Sequence, residues 1–115
     1  MSLVVLIGVP GSGKTKVGRL LAQTTGLPLL EVDDAVEERL GAHMRTLVVA
    51  RDPRLAQASR DEALRLLGCD EGIVTLGASQ PLDPATASAI HEARARGAVV
   101  VELAADPARA IGIGV

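Results

Sequence analysis

The chain has 115 residues, 48% of them hydrophobic, and a formal net charge of −2. That length suits a single domain, 1–115, burying roughly two-thirds of its unfolded surface. The charge balance, with no basic stripe, excludes an electrostatic platform for nucleic acid, and no apolar run is long enough for a membrane span or signal peptide.

Phe, Tyr and Trp are absent, so the core must be assembled from Leu, Val, Ile and Ala without the area that an aromatic ring buries. The single cysteine, Cys69, allows no intrachain disulfide, and with only His43 and His91 it makes no zinc set. A reduced, cytoplasmic compartment is the expectation.

Leu3 to Ile7 is an unbroken apolar run of the kind that forms a fully buried parallel strand. It leads into Gly8-Val9-Pro10-Gly11-Ser12-Gly13-Lys14-Thr15, a complete phosphate-binding motif. Lys14 to Thr25 follows with Val17, Leu20, Leu21 and Thr24 at helical spacing, and Gly26 closes it. Strand, glycine loop and helix is the context that gives this motif its meaning. The glycines let successive N–H groups ring a phosphate, and the helix N-terminus adds about half a positive charge. Lys14 is positioned for the β- and γ-phosphates and Thr15 for Mg²⁺. Only two lysines stand against ten arginines, and one occupies the position where a compact point charge suits phosphate. A nucleoside triphosphate is the expected ligand.

Pro28 to Val32 reads as a second strand, after which Asp33 or Asp34 caps a helix through Val36 and Leu40 that Gly41 ends. Met44 to Ala50 is apolar and only weakly patterned. Asp52-Pro53 opens a helix over Arg54 to Leu67, terminated by Gly68. Ile73 to Leu76 is a β-branched third strand. Asp83-Pro84 starts a helix to about Ala95, Ala98 to Leu103 is a fourth strand, and Asp106-Pro107 opens a last short turn. The alternation predicts an α/β fold with a mostly parallel sheet of about four strands and helices on both faces. Ligand is expected at the carboxyl ends of the strands.

The phosphate loop followed by Val17-Gly18-Arg19-Leu20-Leu21-Ala22 resembles the opening of a shikimate kinase. So do Gly26 to Asp33, the helix with Glu37-Glu38-Arg39-Leu40-Gly41, and Thr75-Leu76-Gly77 ahead of Pro81-Leu82. The resemblance implies a three-layer P-loop kinase fold and transfer of the γ-phosphoryl of ATP to a hydroxyl of shikimate. It assigns the phosphates to Gly11, Ser12, Gly13, Lys14, Thr15 and Lys16, and Mg²⁺ to Thr15 and Glu31, the latter standing where the family has an aspartate. Lys14 and Asp33 become the catalytic residues, Asp33 accepting from acceptor hydroxyls. The substrate positions fall on Asp33, Gln57, Gly77 and Ala78.

The chain departs from that pattern in three places. Gln57 stands where the family has the arginine that binds the shikimate carboxylate, and a neutral amide cannot form the bidentate charged pair. Arg54 or Arg60, about one helical turn away, are the candidate substitutes. Gly77-Ala78-Ser79 replaces three glycines and adds side chains where backbone approaches ligand. The family's arginine-bearing lid and last strand are expected to be lacking, which would leave the fourth strand as an exposed edge open to a second copy or a partner protein. The expectation is a shikimate kinase-like phosphotransferase of reduced activity, with a non-catalytic nucleotide-binding or protein-interaction module as the alternative.

Overall fold

The computed structural model describes residues 2–9 and 11–104. Four strands, β1 (Ser2–Gly8), β2 (Leu29–Glu31), β3 (Glu71–Gly77) and β4 (Val99–Leu103), form one sheet in the order β2-β3-β1-β4. Every pairing is parallel. The connecting helices are α1 (Lys14–Thr25), α2 (Val32–Leu40), α3 (Met44–Val49), α4 (Leu55–Leu67) and α5 (Pro84–Ala95).

Register decides where a ligand can sit. Gly8 pairs with Gly77 on one side and with Leu103 on the other. The carboxyl ends of β1 and β3 are therefore level, and the loops that leave them share one rim.

The two faces of the sheet are covered differently. Leu3, Val5, Ile7, Val74 and Leu76 join one core with Val36, Ala58, Leu66, Leu67, Ile90 and Ala93 of α2, α4 and α5. Those contacts use strand residues of one parity, as a pleated strand requires. The opposite face receives α1 through the buried Gly18. A Cβ there would lie 2.9 Å from Leu29 Cδ1 and 3.7 Å from Leu6 Cδ1, so the missing side chain sets how closely α1 approaches the sheet. Helices on both faces of a parallel sheet is the architecture the alternation predicts.

Several boundaries differ from the sequence expectation for local reasons. Neither Asp33 nor Asp34 caps α2; the helix begins at Val32 with Glu31 at the N-cap position, making no side-chain cap bond. The Glu31 carboxylate is engaged instead by the Thr15 hydroxyl. Asp33 and Asp34 lie in the first turn, where negative charge is still favoured. The weakly patterned 44–50 segment is mostly helix α3, and its first N–H, on Met44, is capped by Glu37 Oε2 at 2.5 Å. α4 starts at Leu55, after a turn in which Asp52 Oδ1 accepts from Arg54 N at 2.9 Å. Asp83 caps α5 as anticipated, accepting from Thr86 N at 3.0 Å. Among the described residues β4 lies at the sheet edge, with Val99 57% exposed. The turn expected at Asp106-Pro107 falls outside the described residues.

Candidate functional site

The phosphate loop leaves β1 at Gly8 and passes through Gly11 and Gly13 at φ of 84° and 85°, backbone that favours glycine. Ser12 N donates to Val9 O at 3.1 Å and turns the loop back toward the strand. α1 then begins with Gly13 at its N-cap, making no side-chain cap bond. An uncapped helix start directs its partial positive charge at whatever lies in front of it. Lys14 Nζ donates to Gly8 O and to Leu76 O, both at 3.2 Å. The ammonium thus straddles the ends of β1 and β3, a place fixed by their register.

These groups border a cavity of about 430 Å³ lined by Gly11, Gly13, Lys14, Thr15, Lys16 and Glu31 among others. Of the six residues expected around phosphate, Ser12 alone is missing from that lining. Its Oγ is buried without a partner among the described residues, and a Cβ on Gly8 would sit 2.4 Å from it. Gly8 therefore makes room for the loop. Cationic side chains, a glycine turn and an open helix start are a donor set that fits a triphosphate.

Thr15 Oγ1 donates to Glu31 Oε1 at 3.0 Å, bringing the two expected metal residues together. Burial and the neighbouring Asp34 raise the Glu31 pKa, while the Thr15 bond opposes them. Among the described residues no group of three or more His, Cys, Asp or Glu could hold an ion alone. One hydroxyl and one carboxylate beside a phosphate cavity suit Mg²⁺, which keeps waters and shares its shell with substrate phosphates.

A second cavity, of about 700 Å³, adjoins the first and shares Val9, Asp33 and Gly77 with it. Asp33 is thus at the junction. Desolvation there raises its pKa, with Glu37 and Asp34 adding to the rise and Lys14 counteracting it. Gly77 N donates to Gln80 Oε1 at 2.9 Å, which fixes the loop after β3. Gln80 is a site-shaping residue that sequence reasoning passed over, and no motif marks it. Ala78 also lines the second cavity, together with Ser79.

Gln57 does not. It is exposed and its amide donates to Asp61 Oδ1 at 2.7 Å, off the cavity wall. Of the two candidate substitutes, Arg54 is spent on Asp52, with bonds of 3.0 and 2.8 Å, and lines neither cavity. Arg60 does line the second cavity, but Nε and Nη2 both donate to Asp83 Oδ1, at 2.9 and 2.6 Å.

Residues 10–111 match the family model described as shikimate kinase. A shikimate kinase of Rhodococcus jostii (strain RHA1) is 40% identical over 83 residues, covering 71% of this chain and 49% of that one. One from Thermobifida fusca (strain YX) is 38% identical over 85 residues, 73% of this chain and 49% of its own. The chain thus spans about half the length of the curated relatives it matches. The fold is similar to that of shikimate kinase from Bacteroides thetaiotaomicron, with a TM-score of 0.75 at 21% identity over 92% of this chain and 58% of that one. The shikimate kinase from Acinetobacter baumannii in complex with shikimate gives 0.72 at 21% identity, over 92% and 57%.

Proposed function

We propose, from the premise that the chain belongs to the shikimate kinase family, that it is an ATP-dependent phosphotransferase acting on a hydroxyl of shikimate or a similar small molecule. The observation that carries this reading is the junction: Asp33 and Gly77 line both cavities, so a carboxylate stands between a phosphate site and a space for an acceptor.

The residues divide the work accordingly. Gly11, Gly13, Lys14 and Lys16 bind and orient the phosphates of ATP. Thr15 and Glu31 would hold Mg²⁺, which supplies charge neutralisation on the phosphates when bound. Asp33 orients the acceptor hydroxyl and takes its proton while the acceptor oxygen bonds to the γ-phosphorus and the bond to the ADP oxygen breaks. A raised pKa makes the ionised Asp33 a stronger base for that step. Phosphoryl transfer depends chiefly on positioning and charge stabilisation, so weak anchoring of the acceptor slows it. Gln57 points away from the cavity and Arg60 is paired with Asp83, which argues for reduced activity toward shikimate itself.

Calorimetric titration of ATP with Mg²⁺ into wild type and Lys14→Ala, with and without shikimate, tests the reading. Binding that depends on Lys14 and tightens with an acceptor is the expected result. Indifference to Lys14→Ala removes the reading at its root.

A second reading, a non-catalytic nucleotide-binding or protein-interaction module, is favoured by the edge position of β4 with its exposed Val99 and Val101. An edge that no described strand pairs offers backbone N–H and C=O groups to a second copy or another protein. Self-association in sedimentation runs, with no ADP formed from any acceptor, would select it.

A further inference from the structure

The second cavity has a chemical character of its own. Its wall toward α3 and the start of α4 is apolar, made by Met44, Val48, Leu55 and Ala56. Val48 remains 57% exposed, apolar surface at the rim that a ligand's apolar side would cover.

Among the described residues the ionisable groups in the lining are Asp33, Arg60 and Asp83. Lys14 acts on Asp33 from the adjoining cavity, which leaves Asp83 and Arg60 as the charges that a ligand's far side would meet. Asp83 is pinned independently of Arg60. Its Oδ2 accepts from Thr86 N at 3.0 Å and Thr86 Oγ1 at 3.1 Å, because it is the N-cap of α5. A ligand carboxylate drawing on Arg60 would therefore sit beside an anion that cannot withdraw without uncapping a helix. Among the described residues Arg60 is the one cation in this lining, and its Nε and Nη2 are already turned to Asp83.

We infer that the acceptor is an uncharged alcohol with an apolar body, its hydroxyl at Asp33 and its apolar side against Met44, Val48, Leu55 and Ala56. This rests on the phosphotransferase reading and narrows its substrate class. The transfer balances as before: the acceptor oxygen gains the γ-phosphoryl group, ADP leaves, and the hydroxyl proton passes to Asp33. Discrimination against an acid comes from the fixed Asp83 that already occupies Arg60, and selection for an apolar body comes from burying surface at α3.

The probes are shikimate and its methyl ester, which share the ring hydroxyls and differ in the anion. The chain has two methionines, Met1 and Met44, so ¹³C-methyl labelling places a reporter on the cavity wall. Titrating each probe into the labelled 115-residue chain without nucleotide, and following the Met44 methyl signal, reads acceptor binding apart from catalysis. The ester should bind more tightly than the acid by about fivefold or more, the effect of one buried methyl group plus the absence of charge. Val48→Asp should weaken ester binding by about tenfold or more.

Tighter binding of the acid, lost in Arg60→Ala, would overturn the inference and make Arg60 a carboxylate ligand. A Met44 signal that responds to neither probe also overturns it. Failure of the phosphotransferase reading is seen separately, as ester binding with no ADP formed when ATP and Mg²⁺ are added.

Discussion

The hydroxyl of Thr15 donates to Glu31 Oε1 across 3.0 Å, tying the first turn of α1 to the end of β2. Neither residue is near the other in sequence. Their meeting follows from the parallel crossover that lays β2 beside β3 and from the close seating of α1 on the sheet through Gly18. Glu31 stands at the N-cap position of α2 yet makes no side-chain cap bond, its carboxylate being bonded across the site instead.

Thr15→Val keeps the shape of the side chain and removes its donor. Affinity for ATP with Mg²⁺ should fall by about tenfold or more, the cost of losing a hydrogen bond to a charged partner. Affinity for ATP with EDTA should stay the same. The Thr15 bond is one of the influences that lower the Glu31 pKa, so the variant should also move that pKa further up, visible in carboxylate chemical shifts. Equal losses with and without Mg²⁺ would assign Thr15 to the phosphates alone.

Asp33→Asn separates chemistry from stability. Phosphoryl transfer should drop by about 10²- to 10⁴-fold, the usual contribution of a positioned base. Stability should move the other way. Burial raises the folded-state pKa of Asp33 above its ordinary 3.8, so the native state holds the proton more tightly than the unfolded chain. The stability linked to that proton is fully present below the ordinary value and is lost as pH rises through the folded one. Asn resembles the protonated form, so the variant should melt higher than wild type at pH 7, and the gap should close below about pH 4. A lower Tm at pH 7 would show that Lys14 and the solvent more than compensate the desolvation.

Gly18 and Gly77 make opposite predictions because their surroundings differ. Gly18→Val pushes against Leu29 Cδ1, 2.9 Å from even a first carbon, and a branched side chain has further to reach toward Leu6 and Thr75. It should destabilise by about 1–3 kcal/mol through overpacking, read from urea unfolding at unchanged m-value. At Gly77 a Cβ would meet nothing within 4 Å. Gly77→Ala should therefore leave Tm in place while it narrows the junction of the two cavities and slows phosphoryl transfer. A stability loss there would mean that the turn held by Gln80 depends on glycine.

The phosphate loop, the alternation of strands and helices, and most element ends were readable from residues alone. Gly11 and Gly13 adopt the positive φ that the motif implies, and Asp83 caps α5 as its place before Pro84 suggests. Such features depend on neighbours within one turn of chain, where backbone sterics and local hydrogen bonds dominate. Helix α3 carries no such local signal, because the carboxylate that caps its first N–H is Glu37, seven residues before Met44 and on another helix.

By itself the sequence determined that a glycine loop joins a buried strand to a helix beginning with Lys14 and Thr15, and the family resemblance it carries put forward Glu31 and Asp33 as candidates for metal and acceptor. Tertiary structure alone decided which of them meet. Register placed Gly8 level with Gly77, and so set Lys14 between the ends of β1 and β3. Gln57 is held by Asp61 of its own helix off the cavity wall, and the packing of α4 beside α5 sets Arg60 against Asp83, 23 residues along the chain. Periodicity assigns a residue to a face of its own element, whereas the partner across a cavity is fixed by how separate elements pack, and no local pattern records that.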